Sequence, residues 1–130
     1  MKNIILLIAC LCISMATTAQ VSEGMKYYNN GDYANALKCF KKAADQGDAE
    51  AQYGLGVCYE NGYGVSKDLQ EAVKWYNKAA KHGLVEAQYN LGVCYGNGYG
   101  VRKDPSKAKY WYRKAADNGL EIAKKALKNF

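Results

Sequence analysis

Residues 49–84 read AEAQYGLGVCYENGYGVSKDLQEAVKWYNKAAKHGL, and residues 85–120 read VEAQYNLGVCYGNGYGVRKDPSKAKYWYRKAADNGL. The two blocks agree at 24 of 36 positions without a gap. A period of this length is one supersecondary unit copied along the chain, and copies stacked side by side bury a continuous core. The same frame runs outward in both directions. Upstream, Ala36, Phe40, Ala43, Ala44 and Gly47 fall on Ala72, Tyr76, Ala79, Ala80 and Gly83. Before them the frame slips by four residues, because Asn29-Asn30-Gly31-Asp32 replaces the longer NGYGVSKD stretch, and Gly24 then matches Gly56. Downstream, Ala123 and Leu127 match Ala87 and Leu91, while Lys128 stands where Gly92 stood.

Within a unit the pattern is helical. Ala51, Leu55, Cys58 and Tyr59 recur at three- and four-residue spacing, which predicts a first helix over Asp48–Glu60. Asp48 is its expected N-cap. A second helix over Asp68–Lys81 is expected to bury Ala72, Trp75, Tyr76 and Ala79, with Asp68 and Glu71 spaced as a capping box. Asp104-Pro105 repeats the signal as a cap followed by proline at the first helical position. Gly47, Gly83 and Gly119 sit just past the second helices, where a left-handed C-cap needs no side chain. The chain therefore reads as all-α, about three helical hairpins over roughly 21–47, 48–83 and 84–119, with a capping helix over 120–130. Gly56 and Gly92 mark places where a helix meets its neighbour closely, and the tryptophans and tyrosines beside them are expected to fill the remaining space.

The beginning of the chain has a different character. Lys2 precedes ten apolar residues, Ile4 to Ile13, followed by Ser14-Met15-Ala16-Thr17-Thr18-Ala19-Gln20. A basic start, a short apolar run and small residues before a cut describe a secretory signal peptide over 1–19, leaving a mature chain from Gln20. Ten apolar residues are too few to span a bilayer, which takes about 20. Leu7-Ile8-Ala9-Cys10 offers a competing lipoprotein reading, anchored at Cys10. Both readings place the protein outside the cytoplasm, in a periplasmic or extracellular space, and neither leaves a transmembrane segment in the mature chain.

That mature chain carries 17 Lys and Arg against 12 Asp and Glu. The bases concentrate on the second helices, at Lys74, Lys78 and Lys81 and again at Lys107, Lys109, Arg113 and Lys114. The first helices of the two full units carry Glu50, Glu60 and Glu86 and no base. One surface is thus basic and the other weakly acidic, an arrangement that a solvated outer face explains as well as an acidic partner does. No nucleic-acid-binding motif appears. The Gly62-Tyr63-Gly64 and Gly98-Tyr99-Gly100 loops lack the preceding strand and the Gly-Lys-Ser of a phosphate loop, so they read as hairpin connections, with no cofactor implied.

The pattern Ala51, Leu55, Gly56, Tyr59, Gly62, Gly64, Val65, Asp68, Ala72, Trp75, Tyr76, Ala79, Ala80 and Gly83, repeated from Ala87 to Gly119, resembles the Sel-one-like repeat (SLR), a branch of the tetratricopeptide superfamily. The resemblance implies an α/α superhelix, or solenoid, whose first helices line a concave groove. It also implies a non-catalytic adaptor that holds a protein or peptide. Carried over by alignment on Gly56 and Gly92, the groove positions are Glu50, Tyr53, Val57, Glu60 and Asn61, then Glu86, Tyr89, Val93 and Asn97. Each of these can instead pack on a neighbouring unit.

Three cysteines remain after Gln20, at 39, 58 and 94. Cys58 and Cys94 hold the same repeat position and are too far apart to bond. Cys39 and Cys58 flank Gly47 at distances that bring antiparallel helices level, so a Cys39–Cys58 staple and three buried thiols both fit. Catalytic candidates are few. The mature chain has no threonine, three serines near the N-terminus or in loops, and His82 alone at a helix end, with no second histidine for a metal. Glu60 and Glu86 form at most an acidic pair on one face. Because exported SLR proteins have been associated with hydrolysis or cell-wall ligands, the alternative to an adaptor is a small secreted hydrolase or a binder of muropeptides or β-lactams.

Overall fold

A computed structural model describes the backbone of residues 2–130 and the side chains of residues 14–130. The apolar run of the proposed leader and the lipoprotein candidate Cys10 lie outside the described side chains. Among the described residues seven helices follow one another: α1 (Lys2–Asn29), α2 (Tyr33–Asp45), α3 (Ala49–Asn61), α4 (Leu69–Lys81), α5 (Val85–Asn97), α6 (Pro105–Asp117) and α7 (Glu121–Leu127). Pairs α1–α2, α3–α4 and α5–α6 form hairpins, and α3, α5 and α7 each pack on the second helix of the preceding hairpin. The chain is an α/α solenoid.

The helix ends follow from local chemistry. Asp48 Oδ1 accepts from Ala51 N at 2.9 Å, Asp68 Oδ1 from Glu71 N at 3.1 Å and Asp104 Oδ1 from Lys107 N at 3.2 Å. Glu71 turns outward to Lys74 Nζ at 3.5 Å. Beyond α2, Gly47 N reaches Ala44 O at 3.0 Å and Asp48 N reaches Ala43 O at 3.1 Å, a Schellman pair that needs the positive φ of Gly47. Within the longer loops, Gly64 and Gly100 have φ of 70° and 67°, and a Cβ there would sit 2.6 Å from Tyr33 O and 2.3 Å from Leu69 O. These loops lie directly against the start of the previous unit's second helix, a contact open only to glycine.

The core lies between the repeats. One cluster joins Ala36, Phe40, Ala43 and Ala44 of α2 to Ala51, Leu55 and Cys58 of α3. A second joins Ala72, Val73, Tyr76, Ala79 and Ala80 of α4 to Ala87, Leu91 and Cys94 of α5. The third joins Ala115 and Ala116 of α6 to Ala123 of α7. Inside each hairpin a different contact rules: one aromatic ring of the second helix lies on a glycine of the first. A Cβ on Gly56 would stand 2.4 Å from Tyr76 Cε1, one on Gly92 2.5 Å from Tyr112 Cδ1, and one on Gly24 2.8 Å from Phe40 Cε1. Trp75 and Trp111 do not share this role, contrary to expectation. They sit one residue earlier on the helix, half-buried, with Lys78 Nζ 4.3 Å from the Trp75 ring centre and Lys114 Nζ 5.6 Å from that of Trp111.

Glutamines bind the units together. Buried Gln52 donates through Nε2 to Ala44 O at 3.4 Å, and its Oε1 lies 3.1 Å from His82 Nδ1. Gln88 repeats this, with Nε2 3.3 Å from Ala80 O and Oε1 accepting from Asn118 Nδ2 at 3.1 Å. Each amide ties three helices, and each satisfies a buried polar group that would otherwise be costly. In the first unit the slot belongs to Gln20, whose buried Oε1 has no partner. Gln46, which holds the position of His82 and Asn118, is engaged by the Thr17 hydroxyl.

All three described cysteines are free thiols. Cys39 is half-buried and faces α1, where a Cβ on Gly24 would come within 3.1 Å of Cys39 Cβ. Its neighbour Phe40 takes the core position, and fully buried Cys58 belongs to the cluster around Phe40. Burial pushes the Cys58 and Cys94 thiols up from the ordinary 9.0 to about 11. Cys39 is also raised, by burial and then by Glu23, with Lys42 opposing.

Two outcomes follow from this packing. Gly56→Ala is expected to cost about 1–3 kcal/mol in urea unfolding, because the Tyr76 ring has nowhere to go. Gly96→Ala, whose new Cβ would be 3.7 Å from Ala108 Cβ, is expected to be neutral or stabilising by up to about 1 kcal/mol. For the thiols, alkylation of the native protein mapped by mass spectrometry should label Cys39 ahead of Cys58 and Cys94. Because the folded chain holds protons that the unfolded chain releases, the thiol contribution to stability is intact below about pH 9 and declines as pH rises toward 11. Urea midpoints across that range read the decline.

Candidate functional site

The first helices present side chains to a cleft of about 400 Å³ that opens where the first two units meet the start of the third. From α1 it receives Val21, Met25 and Tyr28, and from α2 the edge of Phe40. Helix α3 contributes Glu50, Tyr53, Gly54 and Val57, and Leu84 and Glu86 close it at the start of α5. The period explains the composition of this wall. Residues three or four apart on one helix share a face, so Val21, Met25 and Tyr28 line one flank while Glu50, Tyr53 and Val57 line the other. Gly54 is small because Phe40 lies across it: a Cβ there would meet Phe40 Cδ2 at 3.1 Å.

Four of the nine positions carried over by alignment, Glu50, Tyr53, Val57 and Glu86, meet in this cleft. The other five have separate engagements. Glu60 accepts from the Tyr76 hydroxyl at 2.7 Å. Asn61 Nδ2 donates to Val57 O at 3.0 Å and Asn97 Nδ2 to Val93 O at 2.9 Å, so both side chains tie down the last turn of their own helix. Tyr89 packs beside Tyr112, with ring centres 5.5 Å apart, and supports the third core cluster. Val93 is half-buried on α5 and does not line the cleft. The residues that alignment missed, Val21, Met25 and Tyr28, come from the first unit, where the frame slips by four residues. Counting back 32 rather than 36 from Tyr53, Val57 and Glu60 finds all three.

Tyr53 stands at the junction of cleft and core. Its ring centre is 5.7 Å from that of Tyr76, and Asn90 Nδ2 donates to its hydroxyl at 3.5 Å. Burial raises the Tyr53 pKa, and Asn90 partly opposes the rise. Tyr76 is raised more strongly, by burial and then by the carboxylate of Glu60. Both phenols stay neutral over the physiological range. Beside the cleft mouth, Tyr33 and Tyr63 stack with ring centres 4.2 Å apart, and Tyr28 meets both edge-on. This aromatic brace fixes α1 against the loop of the second unit. Chemically, the cleft is an apolar surface with tyrosine hydroxyls and two carboxylates at its margin. Among the described residues no group of three or more His, Cys, Asp or Glu side chains is placed to hold a metal.

Known proteins carry the same architecture. The solved structure of c5321, a protective antigen present in uropathogenic Escherichia coli strains and displaying an SLR fold, is 40% identical with a TM-score of 0.80, over 82% of this chain and 24% of that one. DAP3-binding cell death enhancer 1 of Rattus norvegicus and of Mus musculus is 44% identical over 48 residues, 37% of this chain. HcpC of Helicobacter pylori, whose description proposes a beta-lactamase, is 34% identical over 72 residues, 52% of this chain. The chain spans only 9% of the length of the mammalian relatives and 25% of HcpC. The profile of the Sel1 repeat matches three times, at residues 22–48, 49–84 and 85–120, and with matches along most of its length the chain belongs to the Sel1 repeat family.

Proposed function

We propose that the protein is an exported, non-catalytic interaction module that holds a protein or peptide segment in the cleft between its first helices. The observation that carries this reading is the cleft itself, where apolar side chains from three units converge with no nucleophile beside a base. No cysteine lines the cleft, and Cys58 and Cys94 are poor nucleophiles, being buried and protonated at neutral pH. His82 is occupied by Gln52. Sel1 repeats generally serve protein interaction, which agrees with this chemistry. The description of HcpC keeps a second reading in view, a small hydrolase or a binder of muropeptides or β-lactams. That reading requires turnover or binding that depends on Glu60 or Glu86.

Export rests on the leader-like first 19 residues, with cleavage after Ala19. Removing residues 1–19 would take away Thr17, whose hydroxyl engages Gln46, the residue at the position of His82 and Asn118. No helix among the described residues is long and apolar enough to cross a membrane.

A photoreactive residue at Tyr53 tests the site in intact cells. Covalent capture of a defined protein at Tyr53, lost on Val57→Asp and absent when the probe stands at Lys74, is the expected result. Capture at Lys74 alone transfers the function to the outer helices. The intact mass of the exported chain should correspond to a start at Gln20, and a start elsewhere removes that cleavage assignment.

A further inference from the structure

The charge at the cleft margin identifies the chemistry of its occupant. Resting on the proposal that this cleft is the binding site, we infer that it takes an extended, cationic peptide segment whose bases meet Glu50 and Glu86 and whose apolar side chains meet the floor between them.

Among the described residues Glu50 and Glu86 are the only charged ones that line the cleft, and no lysine or arginine does. They hold the same position in successive units, in the first turns of α3 and α5. Neither forms an ion pair: among the described residues the two salt bridges are Lys74–Glu71 and Lys124–Glu121. Both side chains are exposed, so their carboxylates are available to a visitor. Between them the floor is apolar, from Val21, Phe40, Tyr53 and Val57, and Met25 offers a flexible thioether at 45% exposure.

The sign of this margin opposes that of the molecule. The chain has a net charge of +6, and ten of its eighteen bases lie on the second helices, while none lines the cleft. A cationic segment is repelled by the outer surface and attracted only at the cleft, so the long-range field works against binding elsewhere. An anionic segment experiences the reverse and is drawn to the second helices. Charge thus separates two faces of a small protein and assigns the cleft to cations.

Fluorescence anisotropy on the purified full chain tests the assignment with two labelled peptides of sequence Gly-Lys-Leu-Phe-Lys-Gly and Gly-Glu-Leu-Phe-Glu-Gly. The lysine peptide is expected to bind about tenfold more tightly, the effect of two partly exposed ion pairs. That preference should shrink between about 50 mM and about 500 mM salt. It should disappear in the Glu50→Gln/Glu86→Gln variant, while the uncharged Val57→Asn should weaken the glutamate and lysine peptides alike. Thermal midpoints of the variants check that the fold is retained. Equal binding of both peptides, abolished by Val57→Asn, overturns the charge assignment and leaves the cleft reading standing. A lysine preference that survives both the double variant and Val57→Asn places binding elsewhere and overturns both. Binding of neither peptide overturns the proposed ligand chemistry, and capture at Tyr53 then decides the cleft reading independently.

Discussion

The ring of Tyr76 lies flat against the bare backbone of Gly56, and much else in the solenoid follows from that contact. A helix pair this close has no space for a side chain at the contact, so the first helix must carry glycine and the second must supply a flat, large ring. Phe40 on Gly24 and Tyr112 on Gly92 repeat the solution. The closeness also sets the core composition. Among the described residues alanine dominates the buried core because helices held at short distance leave little volume between them, and buried leucine appears only at Leu55 and Leu91, where the next unit arrives. The tyrosine hydroxyl then needs a partner, and Glu60 provides it for Tyr76. A residue that looks like groove chemistry in the sequence is thereby committed to holding the hairpin closed.

Much of this architecture was legible from the period. Thirteen-residue helices, aspartate caps and the glycines beyond each second helix all have local causes, and local causes repeat with the unit. Two things escaped. Trp75 reads as core because its spacing places it beside Tyr76, but adjacent residues on a helix are turned by about 100°, and only one can lie on Gly56. Gln52 and Gln88 carry no mark of their role in the sequence, since periodicity does not reveal that a helix from the previous unit covers them. Both concern which neighbour a residue faces, a property of stacking rather than of a single hairpin.

The cleft shows the same division. Its second-unit wall could be read by alignment, because Glu50, Tyr53 and Val57 repeat as Glu86, Tyr89 and Val93. The first-unit wall needed the shorter count of 32, because the short Asn29–Asp32 connection displaces the frame. The third unit has the right residue types in the wrong surroundings: Tyr89 supports Tyr112, and Asn97 closes the end of its own helix. Equivalent positions in a repeat share backbone geometry while their exposure depends on what lies on either side. The surface of such a protein is therefore less periodic than its sequence.

A core shared across borders also governs how a chain of this kind can change length. Each cluster is built from the second helix of one unit and the first helix of the next, and the helix surfaces that meet are nearly the same at every border. Inserting or removing a whole 36-residue block joins an old surface to an equivalent one and leaves every contact type in place. Inserting half a block would bring two first helices or two second helices together, glycine against glycine or ring against ring. Gene duplication is thus permitted in one quantum only, and the close identity of residues 49–84 and 85–120 is what a recent event of that size would leave behind.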